Sequence, residues 1–263
     1  MVFYFFIFHV QNSGTKQSIF CKEPNYYINI YADEWFFSFF EKLSGQEKMV
    51  KLGKLAEIYN GIQTGNDKKY VSYKKKSNRW DKVLVGRDIQ RYYKKWGGKY
   101  VCYEPSRLHS NTRKNIFKTK EKIIIRQTSD RLTGAYDDEE YFTIASTFVI
   151  KQFQQSISYK ALLGVLNSTL FLYLYRNLNN EKGRVLPQIK KKHIFDLPIK
   201  VGFIQEPLIN SVDKILTITK ADDYLGNLKK QARVKALERE IDQLVYKLYD
   251  LTPKEIKIVE GAK

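Results

Sequence analysis

Residues able to do chemistry are few in this chain and poorly placed for it. A metal-dependent nuclease needs an acid and a Glu-x-Lys pair converging on one cation. Glu255, Ile256 and Lys257 match the second element, but the nearby acid is Asp250, five residues away in a turn between helical stretches. The run Asp137-Asp138-Glu139-Glu140 has the charge to hold a cation, yet it fits a tight loop between strands better. His9, His109 and His193 stand apart from one another, and none has a serine or cysteine nucleophile and an acidic orienter in view, so they read as structural or phosphate-contacting groups. Cys21 and Cys102 show no CxxC spacing, which argues against a disulfide framework or a zinc site and fits a reducing cytoplasm. Gly61 and Gly65 in GIQTGN have GxxxG spacing and lack the acidic residue and parallel strand unit of a dinucleotide loop. The chain also lacks the polar-Pro-Pro-aromatic loop that grips an extruded base during modification of an exocyclic amine. The expectation is a chain with no complete catalytic site, no metal and no bound cofactor.

Cations are plentiful and concentrated. The 263 residues carry 46 Lys and Arg against 28 Asp and Glu, a net charge of +18. Lys51 to Arg126 holds 21 basic and 6 acidic residues, whereas Phe203 to Lys263 holds 11 and 10. Excess charge gathered in one segment points to a face that neutralises phosphates and releases counterions. Within it, Lys68, Lys69, Lys74, Lys75, Lys76 and Arg79 adjoin Tyr70 and Tyr73, while Arg87, Arg91, Lys94 and Lys95 surround Tyr92, Tyr93 and Trp96. Such interleaving grips backbone phosphates and stacks on bases. Arg126, Gln127 and Arg131 in IIIRQTSDR are candidates for base or phosphate contacts, because arginine reads guanine and glutamine reads adenine bidentately.

The elements that would hold these residues follow from periodicity. The apolar opening MVFYFFIFHV is too short to span a membrane and reads as a buried strand, followed by SIFC and YYINIY; no run approaches 18 apolar residues. Asp33 is placed to cap a helix with Trp35, Phe36, Phe39, Phe40 and Leu43 on a packing face, stopping at Ser44 to Gln46. From Val50 to Lys151 the pattern predicts strands at Lys69–Tyr73, Lys82–Val85, Lys99–Tyr103, Lys122–Gln127 and Thr143–Ile150. Leu162, Leu163, Leu166, Leu170, Leu174 and Leu178 then trace one helical stripe. The last sixty residues predict two antiparallel helices, Pro207–Lys220 and about Asp222–Tyr249, the second with a seam of Leu237, Ile241, Leu244, Leu248 and Leu251.

Six stretches, in this order, resemble the TaqI-like C-terminal specificity domain found at the end of Eco57I-type restriction-modification methylases: LAEIYNGIQTGNDKKYV (55–71), VGRDIQRY (85–92), KIIIRQTSDR (122–131), LLGVLNSTLF (162–171), FDLPI (195–199) and EIDQLVYKLYDLTPKEI (240–256). The resemblance implies a module that recognises a short DNA sequence and presents an adenine for methylation at its amino group. S-adenosylmethionine and the chemistry would then belong to a separate catalytic domain. The motif residues Gly61, Thr64, Gly65, Gly86, Arg87 and Asp88, with Asn167 in the fourth stretch, are expected mainly to shape loops and to bury an Arg-Asp pair.

The sequence therefore predicts an α+β protein with a β-rich recognition domain at 46–200, a helical tail at 201–263 that docks a methyltransferase or endonuclease partner, and N-terminal strands and a helix at 1–45. Residues 1–31 are open to being the last strands of a preceding methyltransferase domain, which would make the chain a fragment, a split subunit or the product of an interrupted gene. The expected partner is duplex DNA, contacted mostly at phosphates by Lys68, Lys69, Lys74, Lys75, Lys76, Arg87, Arg91, Arg126, Arg131, Lys190, Lys191 and Lys192. The rival readings are a competent adenine methyltransferase and a nucleic-acid binder without sequence preference.

Overall fold

The computed structural model describes residues 34–110, 112–152, 156–179 and 187–261; the expected N-terminal strands, the Asp33 cap, His9 and Cys21 lie outside them. In chain order come α1 (Glu34–Ser44), β1 (Met49–Lys51), β2 (Ala56–Asn60), α2 (Asp67–Tyr70), β3 (Val71–Ser72), β4 (Trp80–Leu84), β5 (Ile89–Gln90), β6 (Tyr93–Lys94) and β7 (Tyr100–Cys102). Then follow β8 (Lys122–Arg126), β9 (Gly134–Asp137), β10 (Phe142–Thr143), β11 (Thr147–Gln152), α3 (Tyr159–Asn167), α4 (Thr169–Leu178), α5 (Lys191–Phe195), β12 (Pro198–Lys200), α6 (Glu206–Thr219), α7 (Leu228–Leu248) and α8 (Pro253–Glu260).

The scaffold is a four-stranded antiparallel sheet, β2-β11-β8-β9, covered on both faces. This is why β8 reads KIIIR without alternation. Ile123 and Ile125 face α1, α3, α4 and the tail helices, while Ile124 faces the opposite way, against Leu84, Ile89 and Tyr141. In β11 Val149 likewise turns from the helices toward Ile62, Val83, Val101 and Phe142. The second sheet, β10-β4-β7-β3, supplies that opposite layer. The chain crosses from one sheet to the other at Gly61, where the Gly61 amide bonds Thr147 O and the Ile62 amide bonds Thr143 O at 2.7 Å. A Cβ on Gly61 would stand 2.0 Å from Ile144 O, so no other residue fits that crossing.

Several expected elements are corrected. Lys69 and Tyr70 are helical rather than extended, because the Asn66 side chain accepts the Lys69 amide at 3.1 Å and caps α2. The Thr143–Ile150 strand is two strands separated by a turn at Ile144–Ser146. The leucine stripe is two helices: Ser168 is extended (φ −68°, ψ 161°), closes α3, and its hydroxyl caps α4. In α7 the buried face runs through Val234, Leu237, Ile241 and Val245, with Leu244 and Leu248 at its margin, and an additional helix, α8, follows. One hydrophobic core reaches from Phe36 in α1 to Val259 in α8, and α6 and α7 form an antiparallel pair within it. Among the described residues no helix is long and apolar enough to cross a membrane.

Candidate nucleic-acid interface

The segment after Gly61 is shaped locally. Gly65 adopts φ +71°, and a Cβ there would meet the His109 ring at 2.3 Å. Thr64 is buried, and its hydroxyl donates to the Asp67 carboxylate. These bonds and the Asn66 cap present Lys68 and Lys69 on one exposed helical turn, with Lys69 Nζ 5.3 Å from the Tyr70 ring centre.

The next exposed group gathers around Tyr73, whose side chain is 63% exposed. Its hydroxyl accepts a bond from Arg87 Nη2 at 3.0 Å, and Lys99 Nζ lies 5.5 Å from its ring centre. Lys74, Lys75 and Lys76 follow it on an exposed loop, with Lys76 over Trp80 at 5.0 Å. Beside them Lys82 lies over Trp96 at 4.8 Å, and the Trp96 indole donates to Lys99 O at 2.6 Å. Arg87 and Asp88 do not form the buried pair expected of them. They sit in a 3₁₀ turn, where successive side chains diverge by about a third of a revolution. Asp88 therefore points inward and accepts the Val85 amide at 2.9 Å, while Arg87 points out to Tyr73. Gly86 is required in that turn because a Cβ would stand 2.9 Å from Ser146 O.

A second group lies where residues 187–192 run beside the end of β8. The Gln127 carbonyl accepts the Ile189 amide at 2.8 Å, and Thr128 bridges Gln188. Lys190, Lys191, Lys192 and Arg126 are thereby brought onto neighbouring segments, with Lys191 over Phe195 at 5.2 Å. Arg131 faces Asp130 at 3.5 Å, and Asp130 also takes Arg176. Ser146, which no motif singles out, ties the two groups together: its hydroxyl accepts the Gly86 amide at 2.8 Å and its carbonyl accepts the Gln127 amide at 2.9 Å. No local signal marks it, since both partners are distant in sequence.

Arg91 occupies a different setting from the exposed cations. It donates to Asn167 O at 2.7 Å and faces Glu238 of α7 at 3.5 Å, pinning the β5–β6 hairpin to the helices. Burial holds the Glu238 carboxyl above its usual range, with Arg91 opposing. The acidic clusters are also structurally committed. Asp137 and Lys122 form an ion pair with both side chains fully buried, and Lys94 reaches Asp137, Asp138 and Glu139 at 3.6, 3.3 and 2.9 Å. Burial, with Glu139 alongside, pushes the Tyr141 hydroxyl up to about 12. Glu255 belongs to the capping box of α8 and pairs with Lys42, while Asp250 pairs with Lys200. Among the described residues no cluster of His, Cys, Asp and Glu has the arrangement of a metal centre.

Residues 81–199 match the family described as the TaqI-like C-terminal specificity domain. The match covers 119 of the 263 residues. It contains VGRDIQRY, KIIIRQTSDR, LLGVLNSTLF and FDLPI, whereas the first and last of the six resembling stretches lie outside it. Over 91% of its length the chain is also similar, at 29% identity, to the "Putative type II restriction enzyme and methyltransferase RM.MjaORFECS2P" of Methanocaldococcus jannaschii. Of that protein it covers 20%. In fold, the chain resembles the type IIL restriction-modification enzyme MmeI, solved in complex with DNA, with a TM-score of 0.56 at 11% identity over 81% of this chain and 35% of that one. The HsdS subunit of Thermoanaerobacter tengcongensis is a more distant likeness, with a TM-score of 0.41 at 12% identity over 82% of this chain and 52% of that one. The chain thus spans about a fifth of its relative and about a third of MmeI.

Proposed function

We propose that the chain is the sequence-recognition module of a restriction-modification N6-adenine methyltransferase, binding duplex DNA through its exposed cations. The observation that carries this reading is the basic, aromatic surface around Tyr73 and Arg87, of which Arg87 lies inside the stretch matched to the specificity-domain family and Tyr73 just before it. Lys68, Lys69, Lys74, Lys75, Lys76 and Arg87 contact phosphates from one side, and Arg126, Arg131 and Lys190 to Lys192 from the other. Arg91 contributes by fixing the hairpin between them. Residues 46–200 form the recognition domain, and the tail at 201–263 docks a methyltransferase or endonuclease domain or subunit. S-adenosylmethionine and methyl transfer belong to that partner.

Duplex-DNA binding by the purified chain across a salt series, alongside calorimetry with S-adenosylmethionine, tests this. Affinity should fall steeply with salt while the cofactor gives no binding heat. Salt-insensitive or absent DNA binding would overturn the reading, and cofactor binding would place catalysis in the chain itself.

A further inference from the structure

We infer that Tyr73 is a stacking platform for an unpaired nucleobase in the bound DNA, an inference that rests on the DNA-binding reading above. The Tyr73 ring is 63% exposed and stands among cations, which are the surroundings of a base-stacking aromatic. Here the ring is held at two points. Arg87 Nη2 fixes the hydroxyl at 3.0 Å, and Lys99 Nζ stands over the ring, 5.5 Å from its centre. Gly98, at φ +84°, adopts a conformation that favours glycine beside Lys99. Most of the tyrosine stays open to solvent.

The surroundings suit a base better than a protein side chain or a membrane. Lys74, Lys75 and Lys76 follow Tyr73 directly and would meet the phosphates flanking a stacked nucleotide. A base still paired in a duplex has both faces covered by its neighbours, so the platform can be occupied only by a base that has left the stack. Duplex contacts through the lysines and arginines and a single-base contact through Tyr73 are then two separable components of binding.

Two labelled duplexes of identical sequence separate them, one fully paired and one carrying a single unpaired 2-aminopurine, bound at low salt where phosphate contacts alone give measurable affinity. The unpaired duplex should bind roughly five- to a hundred-fold more tightly, the range that one base–aromatic stack contributes, and its 2-aminopurine fluorescence should be quenched on binding. Tyr73→Ala should abolish both the preference and the quenching, with the preference read as the ratio of the two affinities so that any loss through Arg87, which Tyr73 holds, falls on both duplexes alike. Tyr73→Phe should retain most of the preference. Equal affinity of the wild type for the two duplexes, or a preference that survives Tyr73→Ala, overturns the platform and leaves the duplex-binding reading intact; failure to bind either duplex overturns both.

Discussion

Asn167 closes on Gly134 with two reciprocal hydrogen bonds, accepting the Gly134 amide at 2.9 Å and donating to its carbonyl at 3.0 Å. A side-chain amide here imitates a strand neighbour, extending β9 at the point where it meets the helices. The carbonyl of the same asparagine accepts Arg91, the next residue caps α4, and Thr169 gives its amide and hydroxyl to Asp242 of α7 at 2.7 and 2.6 Å. Three consecutive residues thus join a strand, a hairpin, two helices and the tail. Replacing Asn167 with Ala leaves the buried Gly134 amide without its partner, while the Gly134 carbonyl keeps the Tyr92 amide at 2.9 Å. The expected cost is about 1–3 kcal/mol, read as a lower denaturation midpoint with an unchanged slope.

The buried Lys122–Asp137 pair should respond unequally to loss of either member. Asp137 also accepts the Glu139 and Tyr141 amides at 3.2 and 3.1 Å and has Lys94 at 3.6 Å, whereas Lys122 otherwise has the Phe117 carbonyl at 2.6 Å. Burial pulls the Lys122 ammonium below its usual range, and Asp137 is what opposes that pull. Asp137→Asn should therefore cost about 3–5 kcal/mol, and Lys122→Met clearly less. Because the folded variant would bind fewer protons at Lys122 than the unfolded chain does, its stability should rise with pH between the folded and unfolded lysine pKa values. Denaturation midpoints at pH 7 and pH 9 should show the deficit shrinking; a constant deficit would contradict the assignment.

Acid should loosen the attachment of α8 to α1. Burial alone would raise the Glu255 carboxyl, but the bond from Lys42 at 2.8 Å and the Thr252 amide at 2.7 Å outweigh it and hold the pKa low. A carboxyl whose folded pKa lies below its unfolded value stabilises the fold above about pH 4.3 and loses that contribution as pH falls through the folded pKa. Lys42→Met should cost about 1 kcal/mol at pH 7, and the gap from wild type should narrow on acid titration. A gap independent of pH would mean that Lys42 acts through packing of its methylenes.

The sequence made the β-rich centre and the tail helices legible because β8, β11, α6 and α7 announce themselves through their own residues. The end of α3 at Ser168 was illegible, since the leucines run through it and Asp242, the acid that takes up the Thr169 amide and hydroxyl of the following helix, is supplied 73 residues away. Strand β9 was hidden for a related reason: Gly-Ala-Tyr-Asp has little intrinsic strand preference and is fixed by Lys122 and Asn167. Helix α8 was legible in principle, because Thr252, Pro253 and Glu255 spell a capping box with proline at the first helical position. At the candidate site the cations could be read from composition, whereas the inward turn of Arg91, the outward turn of Arg87 and the tie made by Ser146 depend on contacts between distant segments.

The exposed lysine loop offers the most direct test of how the charge is used. Lys74, Lys75 and Lys76 protrude from the second sheet, and the sheet cores do not include them. Changing all three to glutamine should therefore leave the denaturation midpoint nearly unmoved. If each meets one phosphate, the slope of log affinity against log salt should become shallower by about 2.7, at roughly 0.9 per phosphate contact. The loss should be nearly the same for every duplex sequence, because phosphate contacts carry no base information. Arg126, half-buried at the end of β8 and held through its amide by Thr133 O at 3.0 Å, should behave differently. Arg126→Lys keeps the charge and removes the bidentate fork, so a base-reading arginine would lose about 1–3 kcal/mol on one sequence and little on others. A uniform loss across sequences would reassign Arg126 to the phosphate backbone along with the lysines.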